Sequence, residues 1–242
     1  MNAVITAGGV VDGEFARAIA TSVKALAPLR GTTLLDLAVD AARGAGARGV
    51  AVVGGPAVRA HCRGKVEHLI DASEDGSENV RRALGAWPAE PLVYLTSDLP
   101  FVDSGAVAAF VARSAGYALT MPLASSQAYE ARFPGAPEHI VTLGGERVAN
   151  GNVFFIAPEA RAPLLHFAGR FFEARKSKLR MAVLLGVPLL VRFALRRLTI
   201  EAIERKAQRT LGVPVAAIRD ADPGICYDVD TLAEYCYARD RT

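Results

Sequence analysis

The chain has 242 residues, 51% of them apolar and 22% charged, which is enough to bury a sizeable core and excludes a largely disordered protein. Its 28 Lys and Arg oppose 25 Asp and Glu, a net charge of +3 with no long run of one sign, so nothing marks a nucleic-acid-binding arm. Cys62, Cys226 and Cys236 are three, far apart and without zinc-ligand spacing, which argues against a disulfide scaffold and for a reducing, cytoplasmic setting.

Met1 runs directly into an apolar stretch ending Ala7-Gly8-Gly9, so no secretory leader is expected; residues 3–6 read as a first strand. Thr33-Leu-Leu-Asp36 has the form of a capping box opening a helix with Leu35, Ala38, Val39 and Ala42 on one face. Strands follow at 49–53 and 68–71. Ser77 is predicted to cap a helix carrying Val80, Leu84 and Trp87. A strand over 92–97 ends at Asp98-Leu-Pro, Asp103 caps a helix around 106–114, and 118–122 is a further strand. Residues 127–151, with Pro134, Pro137 and Gly144-Gly145, read as polar loop. A strand over 152–157, a nearly all-helical stretch over 159–211, a strand over 213–218 and a Thr231-x-x-Glu234 capping box complete the chain. Strand–helix alternation predicts a three-layer α/β/α, Rossmann-like mixed sheet, one domain over 1–242 with a helical insertion at about 159–211.

Such sheets bind ligands beyond the carboxyl ends of their strands, where both the Gly-rich turn and Asp98 fall. Gly8-Gly9 leaves backbone N–H groups open to phosphate, although the glycines fit neither a dinucleotide fingerprint nor a P-loop. A tight turn explains them equally. Lys24-Ala-Leu-Ala-Pro-Leu-Arg-Gly31 adds an ammonium that can meet a triphosphate.

The order AGG…K-A-L-x-P-L-x-G-x-x-L-L resembles the opening of nucleotidyltransferases of the nucleotide-diphospho-sugar transferase fold, and is similar to the molybdenum-cofactor guanylyltransferase-like NTP transferases. The resemblance implies that Ala7, Gly8 and Gly9 wrap the nucleotide phosphates and that Lys24 contacts them. The loop from Val10 to Arg17 is longer and less basic than the family pattern, with Arg17 as a stand-in for its usual arginine. Asp98-Leu-Pro-Phe-Val resembles the family's metal segment, which assigns Asp98 to Mg²⁺; outside that resemblance, an Asp capping the turn before Pro100 suffices. Asp228-Val-Asp230-Thr231 resembles the family's late carboxylate segment, which adds Asp230 and Asp228 as metal ligands; an N-cap at Asp230 or Thr231 is the structural alternative. By the same resemblance Ser77 meets the nucleotide and Asn152, in Asn150-Gly-Asn152, meets the acceptor. The four histidines show no ligand spacing.

Residues 181–191 are an uninterrupted apolar run flanked by Lys176, Lys178, Arg180, Arg192, Arg196 and Arg197. The run is too short to span a bilayer, which takes about 20 residues. A buried helix or a homodimer contact explains it, and so does peripheral membrane contact through 176–198.

The function these readings imply is an Mg²⁺-dependent nucleotidyltransferase that joins an NTP to a small phosphorylated acceptor and releases pyrophosphate. A glycosyltransferase using an NDP-sugar shares the fold, but carries a DxD where this chain has Asp98-Leu-Pro. A non-catalytic nucleotide-binding or membrane-associated protein is the alternative outside enzymes.

Overall fold

A computed structural model describes residues 1–137, 139–174 and 186–241. Its main sheet runs β5 (His68–Asp71), β4 (Val50–Gly54), β1 (Asn2–Ala7), β6 (Leu92–Thr96), β10 (Val153–Ile156), β7 (Leu119–Ser125), β9 (Glu146–Asn150) and β8 (Ile140–Leu143), with β11 (Val215–Ile218) also beside β7. The first four of these strands are mutually parallel, and β10 enters antiparallel between β6 and β7. A two-residue ribbon, β2 (Pro28–Leu29) and β3 (Thr32–Thr33), lies apart from the sheet.

Strand β1 is buried on both faces, which is why it reads as a continuous apolar run. Ala3, Ile5 and Ala7 join the core under α2 (Leu34–Gly44) and α5 (Ser104–Arg113). Val4 joins the opposite core under α4 (Gly76–Leu84) and α7 (Pro158–Ala174). Helices therefore cover both faces, as the predicted three layers require.

The remaining helices are α1 (Gly13–Ile19), α3 (Pro56–Cys62), α6 (Ser126–Arg132), α8 (Val187–Ala194), α9 (Ile200–Leu211) and α10 (Leu232–Arg239). Thr33 caps α2, its Oγ1 accepting from the Asp36 N–H at 3.1 Å, and Asp103 caps α5, as expected.

Three expectations change. Residues 127–151 are not loop: Ser125 caps α6, and β8 and β9 form a hairpin through Gly144-Gly145, both at positive φ. Asp75 rather than Ser77 caps α4, its carboxylate accepting the Ser77 N–H at 2.8 Å, and the helix ends at Leu84, before Trp87. The stretch over 159–211 is broken between α8 and α9, where Leu198 is buried and Thr199 caps α9. Lys176, Lys178, Arg180 and residues 181–185 lie outside the described residues.

Candidate active site

The site is built where β1 and β6, neighbours in register, end together. Ala7 closes β1 and is buried; Gly8 and Gly9 emerge exposed. The chain then folds back on itself. Val10 and Val23 form an antiparallel bridge, and the Gly9 carbonyl accepts from the Lys24 N–H at 3.0 Å. A Cβ added at Gly9 would lie 3.0 Å from Lys24 Cε, so glycine lets the lysine stem lie against the loop.

Lys24 Nζ sits between two carboxylates, 2.5 Å from Asp98 Oδ2 and 2.7 Å from Asp230 Oδ1. Its side chain is only 12% exposed. Burial works against the charged form, but the Asp98 charge and the bonds to both aspartates prevail, holding the ammonium above its ordinary pKa.

Backbone geometry explains why three carboxylates converge. The Val229 N–H donates to the Asp98 carbonyl at 3.0 Å, pinning the residue between Asp228 and Asp230 to the end of β6. Downstream, Thr231 caps α10 in a full capping box. Glu234 Oε2 accepts both the Asp230 and Thr231 N–H groups at 2.6 Å, so the Asp230 carboxylate is not consumed as the cap. It turns toward Lys24 instead.

Asp98, Asp228 and Asp230 bring one oxygen each within 4.8 Å of one another. Asp98 Oδ1 is buried without a hydrogen-bond partner. Burial, and then the charges of Asp98 and Asp230, push the Asp228 carboxyl up to about 6, opposed by His139 and Lys24. His139 Nδ1 lies 3.8 Å from Asp228 Oδ1, and its Nε2 lies 3.2 Å from Glu234 Oε1. An all-oxygen donor set with an unsatisfied buried oxygen and mutually repelling charges fits a hard divalent cation.

Asn152 is tied by its backbone to the end of β6 and to Ile225. Its carbonyl accepts the Thr96 N–H, and its own N–H donates to the Ile225 carbonyl, both at 3.2 Å. Gly151 makes the approach feasible, since a Cβ there would meet the Ile225 carbonyl oxygen at 2.5 Å. Ser77 is held differently: its Oγ donates to Asp75 Oδ1 at 2.8 Å. The α4 residue nearest Gly8 is Asn79, with Nδ2 4.0 Å from a Cβ built there and bonded to the Ser73 carbonyl. Asn79 stands in the segment that pointed to Ser77, and His139 in the stretch read as loop. Asn79 is held locally, by hydrogen bonds with the Ser73 backbone, whereas His139 is placed against Asp228 and Glu234 by tertiary contacts that local spacing does not encode.

No curated protein matches the chain. Among solved structures it is similar to a hypothetical transferase from Thermus thermophilus at 27% identity and TM-score 0.84, covering 96% of this chain and 98% of that one. It is also similar to CMP:2-keto-3-deoxy-manno-octonic acid synthetase complexed with CTP (13% identity, TM-score 0.59, 99% and 97% covered). A third is Rv0371c from Mycobacterium tuberculosis H37Rv in complex with manganese (15%, TM-score 0.54, 100% and 98%). At these identities the last two establish the fold. The MobA-like NTP transferase domain matches residues 3–212, most of the length, and with the mixed sheet and the site at its carboxyl edge the chain belongs to that nucleotidyltransferase family.

Proposed function

We propose that this chain, acting as one domain over 1–242, transfers a nucleotidyl group from an NTP to a small phosphorylated acceptor with release of pyrophosphate. The observation that carries this reading is Lys24 held among Asp98, Asp228 and Asp230 beside the Gly8-Gly9 loop. In the reaction an acceptor phosphate oxygen bonds to the α-phosphorus, the bond from that phosphorus to the β-phosphate oxygen breaks, and pyrophosphate leaves.

Each group has a part it can perform where it stands. Gly8 and Gly9 offer exposed backbone N–H groups to the phosphates. Lys24 supplies positive charge where the leaving pyrophosphate accumulates negative charge. Its contact with Asp230, whose side chain is 65% exposed, is the one it exchanges for phosphate oxygen, while its contact with Asp98 is the sheltered anchor. Asp98, Asp230 and Asp228 would hold Mg²⁺, which supplies Lewis-acid polarisation of the phosphoryl oxygens. The manganese complex of the mycobacterial neighbour supports a divalent cation in this fold. Asn152, whose backbone is bonded to Thr96 at the end of β6, would orient the acceptor, and Ser77 with Asn79 would border the nucleotide.

The test is pyrophosphate release with each NTP against phosphorylated sugars, alcohols and cofactor precursors, with Mg²⁺ or Mn²⁺. Release dependent on both acceptor and metal is expected. Release of a nucleoside diphosphate from an NDP-sugar, or nucleotide binding without turnover across the panel, would overturn the proposal.

A further inference from the structure

The end of α8 and its groove with α9 concentrate exposed apolar and cationic side chains. Of seven large apolar side chains exposed among the described residues, three lie within five positions here: Val191, Phe193 and Leu195, the last two 63% and 61% exposed. Arg192 lies between Val191 and Phe193, Arg196 and Arg197 follow Leu195, and all three are exposed. Across from α8, α9 turns Arg205, Lys206 and Arg209 into a groove of about 390 Å³ that Arg192 closes from the other side.

The acids of this segment are engaged elsewhere. Glu201 pairs with Arg219, and Glu204 accepts the Ala217 N–H at 2.8 Å, so both turn toward β11. The far side of α9, with Ile203, Ala207 and Leu211, closes an apolar cavity of about 420 Å³ against the sheet. Its cations are thereby directed outward. Residues 186–211 hold six cationic side chains against two acidic ones, more net positive charge than the whole chain carries.

We propose that this end of α8, with its groove, docks on an anionic lipid surface. Val191 and Leu195, one turn apart on one side of α8, and Phe193 on the other side enter the boundary between headgroups and acyl chains as the end of the helix inserts, and the groove cations meet lipid phosphates. The exposed apolar side chains favour lipid over nucleic acid, whose phosphates the arginines alone would satisfy. No helix among the described residues is long and apolar enough to cross a membrane, so docking is in the interfacial plane. The inference stands independently of the transfer reaction, since none of its residues belongs to the carboxylate–lysine cluster.

The experiment is co-sedimentation of the full chain with phosphatidylcholine vesicles and with vesicles enriched in phosphatidylglycerol, at low and physiological salt. Binding confined to the anionic vesicles and weakened by salt is expected. Removing charge with Arg196→Gln and Arg197→Gln should lower affinity about fivefold per residue. The double variant Phe193→Ser/Leu195→Ser, at exposed positions that leave the core intact, should lower it about tenfold. Equal binding to both vesicle types, binding unaffected by the Phe193/Leu195 change, or binding of duplex DNA but not of vesicles would each overturn the proposal.

Discussion

Lys24 and Asp230 stand 206 positions apart in the chain and meet in a 2.7 Å ion pair. The Gly-rich loop after β1 is thereby joined to the segment leading into α10. A second tie runs parallel to it, the Tyr235 hydroxyl donating to the Pro28 carbonyl at 2.6 Å. The Gly-rich loop region and the late segment are therefore tied at two points, of which only the Tyr235–Pro28 bond is independent of Lys24.

Lys24→Met keeps the length of the stem and removes the charge. Because the ammonium would meet phosphate in ground and transition states alike, KM for the NTP should rise while kcat falls. The loss in kcat/KM should be about 10²–10³-fold. Steady-state kinetics of pyrophosphate release check this, and unchanged kcat and KM would return Lys24 to a purely structural ion pair.

Asp98→Asn removes a charged ligand from the proposed metal set but retains the carbonyl that receives the Val229 N–H, a backbone group. The fold should persist, seen as an unaltered far-UV spectrum and cooperative melting. Metal-dependent turnover should be lost. Near-wild-type activity at saturating Mg²⁺ would remove Asp98 from the site.

Gly9→Ala tests the packing of loop against lysine. The added Cβ lies 3.0 Å from Lys24 Cε, tighter than relaxed contact, and the flexible stem must give way. A shift of a few tenths of an ångström in the stem is expected to disturb the Nζ–Asp98 pair. Activity should fall at least about tenfold, whereas the melting temperature should change little because the loop is exposed. Gly8→Ala, with its nearest neighbour 4.0 Å away, should leave the Lys24–Asp98 pair intact. A crystal structure of each variant distinguishes the two outcomes.

These residues were not equally legible in the sequence. Asp98 follows a buried strand, a local signal, whereas Asp230 stood out through the resemblance to the family's late carboxylate segment, the capping box beside it marking only a helix start. Their meeting with Lys24 depends on the parallel pairing of β1 with β6 and on the Val229 bond, neither of which leaves a periodic trace. The hairpin of β8 and β9 was hidden for another reason. Its strands lie at the sheet margin, where Glu146, Arg147 and Asn150 remain exposed and only Val148 and Ala149 are buried, so alternation is too short to register. Ser77 was read as a cap because a serine stands in the first turn of α4. Asp75, two residues earlier, accepts the N–H more effectively as a charged group.

The Asp228 carboxyl gives the proposed site its own dependence on pH. Burial and the neighbouring Asp98 and Asp230 charges raise it to about 6, against 3.8 in the unfolded chain, with His139 and Lys24 opposing. Below the unfolded value both states are protonated and Asp228 contributes no slope. Between the two values the native state binds a proton that the unfolded state does not, so stability falls as pH rises, and above about 6 the penalty is complete. Asp228→Asn is neutral throughout. It should therefore be more stable than the wild type above pH 6, by up to about 3 kcal/mol, and no more stable near pH 4. Mg²⁺ should compress this difference at neutral pH, because the cation relieves in the wild type the repulsion that the substitution removes. Thermal melts of both proteins near the two pH values, with and without Mg²⁺, provide the check. A stability gain of the same size at both pH values would show that Asp228 does not titrate in this range, and a wild type unmoved by Mg²⁺ would separate the carboxylate cluster from metal binding.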